Sequence, residues 1–134
     1  MKIGVFDGSI SFETGRILRS EDRVSFLATQ LGKQATSDLV SNVWWHVKTE
    51  PEPGITSVLL FNENRLDRVF LTMEIPPDLR GEWTVENELA RMEVHDNWLR
   101  KELGKPPYEY SWGQVVSDYD QKGCASTIIV AYAP

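Results

Sequence analysis

Val85, Leu89, Met92, Leu99 and Leu103 recur at steps of four and three along residues 83–104, the spacing that lines one face of a helix. Thr84 is placed to cap its start, with Glu86 and Glu88 near the positive end of the helix dipole. Arg100 and Lys101 fall in the last turn, and Gly104 followed by Pro106-Pro107 stops it. The stripe is interrupted between Met92 and Leu99, and Asp96 fills the gap. A carboxylate in an apolar stripe is costly unless something binds it. Asp96 therefore reads as a structural pin, with Trp112 Nε1, tyrosine hydroxyls and the backbone N–H groups of 107–113 as its expected donors.

Upstream, Asp7-Gly8 between Ile3–Phe6 and Ile10–Phe12 signals a short hairpin. Ser20 reads as the cap of a second helix that buries Val24, Leu27, Ala28 and Leu31 and closes at Gly32. After a polar stretch at 33–38, three strands are expected: Asn42–Lys48, Thr56–Phe61 and Leu66–Ile75. Pro51 and Pro53-Gly54 break the chain between the first two, and Pro76-Pro77 ends the third. Residues 108–112 are aromatic and could be extended. Ser111 and Gln114 have capping-box spacing, which predicts a short helix over 112–117, and Ser126–Tyr132 reads as a final strand. The expectation is one α+β domain over residues 1–134, with an antiparallel sheet of four to five strands and two main helices on one face.

That arrangement leaves the other face of the sheet open. If Val43, Trp45 and Val47 point to the core with Val69, Leu71 and Met73, then Trp44, His46 and Lys48 point away, beside Phe70, Thr72 and Glu74. Either Leu59 and Phe61 or their neighbours join them. The resulting candidate binding surface is Trp44, His46, Phe61, Phe70, Thr72 and Glu74; the alternative is that a loop such as 76–83 or the N-terminal hairpin covers it.

Composition narrows the function classes. The chain has 134 residues, 25% of them charged and 41% hydrophobic, a globular balance. A net charge of −6, with scattered Lys and Arg, argues against nucleic acid; acidity of this size serves simple solubility or, in the sharper reading, attraction to a protein partner of basic character. No apolar run approaches bilayer length, no signal-peptide core follows Met1, and a lone Cys124 permits no intrachain disulfide, so a cytoplasmic protein without membrane contact is expected.

No residue spacing specifies an enzyme. His46, His95, Asp118 and Asp120 come from separate elements without the His-x-x-x-His or Cys-rich spacing of a metal site, and no glycine loop for phosphate exists. Cys124 lacks a nucleophile's surroundings and reads as a small packing residue. No catalytic residue, metal or cofactor is therefore expected. The competing reading is a small enzyme or ligand-binding protein whose pocket, lined by Trp45, Trp83, Trp98, Trp112 and tyrosines, surrounds His95, Asp96 and Asp118. Self-association through exposed aromatics is a third.

Gly15 before a Ser20-capped helix, Leu31-Gly32 at its end, Trp45 on a strand, and Val58-Leu59-Leu60-Phe61 leading to Leu66-Asp67-Arg68-Val69 together resemble small bacterial domains of the BamE and β-lactamase-inhibitor type. The resemblance covers about the middle third of the chain. It implies a helical part packed on an antiparallel sheet whose open face binds another protein. The long helix and Trp-Gly segment that follow depart from that pattern, as does the lack of a lipoprotein signal. His95-Asp96-Asn97-Trp98-Leu99-Arg100 through Trp112-Gly113 to Tyr119-Asp120 is similar to small uncharacterised bacterial proteins, and carries no activity with it. The overall type fits a non-enzymatic protein-binding domain, of the immunity or adaptor kind.

Overall fold

A computed structural model describes residues 1–75, 84–123 and 125–134. Among the described residues, ten strands and three helices follow in the order β1 (Lys2–Ile3), β2 (Ile10–Phe12), β3 (Gly15–Ile17), α1 (Arg23–Leu27), α2 (Gln30–Lys33), β4 (Thr36–Ser41), β5 (Trp44–Glu52), β6 (Ile55–Asn62), β7 (Arg65–Met73), α3 (Val85–Leu103), β8 (Tyr108–Tyr110), β9 (Gly113–Asp120) and β10 (Ala125–Tyr132). The chain is α+β, but its main antiparallel sheet has seven strands rather than four to five, in the order β4-β5-β6-β7-β10-β9-β8. A separate three-stranded sheet, β1-β2-β3, is built from the N-terminus.

Register explains the core. Ser37, Val47, Leu59, Val69, Val130, Val115 and Tyr108 lie opposite one another across all seven strands. All but Ser37 are buried, so this row is the floor of the core. Phe26 from α1 meets Phe61, with ring centroids 6.4 Å apart. The small sheet docks near the other end, where Trp112 Nε1 donates to the Val5 carbonyl (2.9 Å) and Tyr132 Oη to the Gly8 carbonyl (2.8 Å). Gly8 has φ +71°, and a Cβ there would stand 2.6 Å from the Trp112 ring; both demands select glycine.

Several elements depart from expectation. The helix expected after Ser20 is two short helices capped by Asp22 and Thr29, because Thr29 Oγ1 donates to the Phe26 carbonyl and accepts from Gly32 N–H, turning the chain. Val24 consequently points to solvent and Phe26 goes inward. Gly32 is no left-handed cap; it permits close approach, since a Cβ there would collide with the Phe26 carbonyl. The polar stretch includes β4, and β5 runs through Pro51, with an irregularity before Glu52. Residues 113–120 form a strand instead of the expected helix: eight residue pairs with β10 outweigh a capping box. A Cβ on Gly113 would collide with the Ala131 carbonyl oxygen, so glycine is what lets this pairing begin.

The long helix has the predicted N-cap, with Thr84 Oγ1 accepting from Asn87 N–H, and ends at Gly104. Its orientation is different. Val85 and Leu89 are exposed, whereas Glu88, His95 and Leu99 are buried. The apolar stripe and the buried face coincide only in part. Among the described residues, no helix is long and apolar enough to cross a membrane. Residues 76–83, expected as a loop and containing Trp83, and Cys124 lie outside the described residues.

Candidate functional site

The ladder between β7 and β10 stops at the pair Leu71–Ile128, leaving main-chain groups on Met73 and Ser126 beyond the fork. Side chains of α3 occupy that place. Met73 N–H donates to His95 Nε2 (2.9 Å), and Arg91 Nε donates to the Met73 carbonyl (3.1 Å). Ser126 N–H donates to Glu88 Oε2 (3.0 Å), and Glu88 also pairs with Arg91. Since Nε2 accepts, the neutral ring carries its proton on Nδ1 and donates to Ser126 Oγ, 3.0 Å away. Burial is the main cause that lowers the His95 pKa to about 4, assisted by the positive charge of Arg91.

The His95–Ser126 distance is that of a nucleophile and its base. The remaining geometry rejects that chemistry. Ser126 is 2% exposed and His95 wholly enclosed, so no substrate carbonyl reaches the hydroxyl. The second ring nitrogen faces an amide donor rather than an orienting acid. This cluster closes a fork in the sheet.

Asp96, one residue further, is half-buried at a different place. It lies with Leu99 and Arg100 beside the turn at Pro106 and Pro107 and the start of β9, lining a cleft of about 370 Å³. Its expected donor, Trp112 Nε1, is committed to Val5; Trp112 instead stacks on Tyr110, with ring centroids 5.1 Å apart. Ser117, which also lines the cleft, has a buried hydroxyl without a hydrogen-bond partner among the described residues.

The outer face of the sheet has its own cross-strand row: Thr36, Lys48, Val58, Phe70, Ile129 and Val116. A second runs Asp38, His46, Leu60, Arg68, Ala131, Gln114 and Glu109. Val58, Leu60, Phe70 and Ile129 are half-buried, with Val116 more open. Of the residues expected here, Trp44, His46, Phe70 and Thr72 are half-buried and Glu74 is exposed. Trp44 sits opposite Asn62, and His46 opposite Leu60. Phe61 is the exception: the register turns it into the core against Phe26, and its neighbour Leu60 takes the outer position. Val58 and Leu60 are the neighbours that the alternation left open as the outer pair, and Ile129 was not singled out from the sequence. Their alternation was visible, but strand order alone puts Ile129 beside Phe70.

His46, Asp118 and Asp120 do not converge with His95, and no group of three or more His, Cys, Asp or Glu able to hold a metal occurs among the described residues. No family model matches this chain, and neither a curated protein nor a solved structure matches it.

Proposed function

We propose that this chain is a non-enzymatic protein-binding module, of the immunity or adaptor kind, that docks its partner on the outer face of the seven-stranded sheet. The carrying observation is the contiguous apolar strip Val58–Phe70–Ile129, flanked by Leu60, on the face opposite the helices and the core. A solvated sheet face ordinarily alternates to polar residues there, so an apolar strip with Trp44 and His46 nearby has the makings of an interface centre. Lys48 and Arg68 supply positive charge within it, while Glu109 and Asp118 add acids toward the β8–β9 end. With the net charge of −6, those acids favour a partner with a basic rim. The likeness of the middle third to BamE and β-lactamase-inhibitor domains supports the same reading.

The test is affinity capture with the wild type beside a Phe70→Ser/Ile129→Ser variant and a Trp44→Ser variant. The expected result is a partner retained by the wild type and lost by the double variant while its melting curve stays close to wild type. Equal retention by all three proteins would refute the proposal.

The cleft beside Asp96 favours a second reading, a small-ligand site, because an unpartnered hydroxyl, a carboxylate and a guanidinium border an apolar floor of Leu99 and Val115. A thermal-shift panel of small polar molecules distinguishes them: this reading requires stabilisation that Asp96→Ala abolishes by removing the carboxylate at the cleft's border.

A further inference from the structure

β9 runs from Gly113 to Asp120, but β8 covers only Gly113, Gln114 and Val115. Hydrogen bonds on the other side of β9 fix which main-chain groups face that edge. Ala133 N–H donates to the Trp112 carbonyl (2.8 Å), and Ser126 N–H goes to Glu88 rather than to Tyr119, which lies opposite it in the ladder. Alternation along an antiparallel pair then turns the N–H and C=O of Val115 and Ser117 away from β10. Val115 pairs with Tyr108. Beside Ser117 the cover has ended: the chain there is Pro106-Pro107, and proline has no N–H to give. This open stretch forms one wall of the cleft of about 370 Å³, and Asp96 and Arg100 of α3 border the other. The two stand four residues apart, acid first, the spacing of a helical ion pair. Among the described residues, neither is ion-paired with the other or with any third group. Between the walls lie Leu99, Val115 and the Tyr108 ring, whose hydroxyl is already donated to the Gly104 carbonyl (2.9 Å).

Granted the small-ligand reading of this cleft, on which the step rests, we infer that it binds a free α-amino acid with an apolar side chain, ammonium on Asp96 and carboxylate on Arg100. Each sign is offered twice: a carboxylate and a guanidinium on the helix, a main-chain acceptor and a main-chain donor on Ser117. An anion alone would face the charge of Asp96, and a cation alone that of Arg100. A zwitterion meets both with charge-assisted hydrogen bonds. Its two charged groups leave further hydrogen-bonding capacity that the Ser117 N–H and carbonyl can fill. The side chain on the same α-carbon then lies over Leu99 and Val115, where apolar surface is the complement. The volume is near the small end of ligand sites, which suits an amino acid and is too little for a dinucleotide.

Amide chemical shifts of the isotope-labelled full chain are followed while L-leucine, L-leucinamide or N-acetyl-L-leucine is added to about 10 mM. Leucinamide keeps the ammonium without the carboxylate, and N-acetyl-leucine keeps the carboxylate without the ammonium. The expected result is saturable binding of leucine that moves the Ser117 and Arg100 amides, with both analogues weaker by at least about tenfold. Arg100→Gln and Asp96→Asn should each weaken leucine by a similar factor. Arg100 is exposed and Asp96 half-buried at an open border, so both variants keep the native spectrum elsewhere. An analogue that binds as well as leucine overturns the zwitterion and leaves the cleft as a site for another ligand. Leucine binding that neither variant weakens overturns the assignment to this cleft. Absence of leucine binding overturns the proposal too, and the small-ligand reading falls with it only if the wider thermal-shift panel is also without effect.

Discussion

Acidification should open the β7–β10 fork, and the cost follows from His95. Its ring accepts from Met73 N–H and donates to Ser126 Oγ, so only the neutral form satisfies both neighbours. The folded-state pKa is about 4 against an ordinary 6.5. The unfolded chain takes up a proton as pH falls through 6.5, while the folded chain resists until about 4. The neutral-ring contribution is therefore present above the unfolded value and lost as pH falls toward the folded one. A difference of this size corresponds to about 3 kcal/mol, at about 1.4 kcal/mol per pH unit. For a domain of this length that is on the order of 10 °C in Tm. Urea unfolding between about pH 8 and pH 4.5 measures it. His95→Gln keeps one acceptor and one donor without a titrating group, and should lower stability at neutral pH but flatten the slope in that window. Carboxylates such as Asp22, held below their usual range by the Ser25 hydrogen bonds, titrate in both proteins and cancel in the comparison. Equal slopes for wild type and His95→Gln would refute the assignment.

Phe61→Ala and Phe70→Ala, on adjacent strands but opposite faces, should differ sharply: about 3–5 kcal/mol for the core ring and under about 1 kcal/mol for the outer one. Urea midpoints give both values, and a large loss for Phe70→Ala would show that its ring is structural. Glu88→Ala should cost about 3 kcal/mol, since the buried Ser126 N–H and the half-buried Arg91 Nη1 both lose their acceptor; a cost near zero by thermal melting would mean that the fork tolerates water. Gly113→Ala should lose roughly 3 kcal/mol and expose β10 amides to hydrogen exchange, because its Cβ collides with the Ala131 carbonyl. Asp96→Ala, at the border of an open cleft, should cost less than His95→Ala in parallel melting curves, and the reverse order would restore Asp96 as the pin.

The sequence by itself determined what depends on neighbours in the chain. Thr84, the flanking acids, Arg100-Lys101 and Gly104 mark α3 closely, because capping and dipole effects act within one turn. The alternation of Val69, Leu71 and Met73 against Phe70 and Thr72 likewise separated the two faces of β7 before strand order was known. Tertiary structure decided whatever depends on a partner distant in sequence. Glu88 and His95 are buried because Ser126 and Met73 bring main-chain groups that need them; without those groups the apolar stripe would have been the better face to bury. Asp96 lost its assigned place for the same reason, as Trp112 found Val5 from the opposite end of the chain. Residues 36–41 and 113–117 carry weak or helix-like local signals and became strands through pairing with β5 and β10. A pairing's free energy belongs to two segments jointly, and neither segment records it alone.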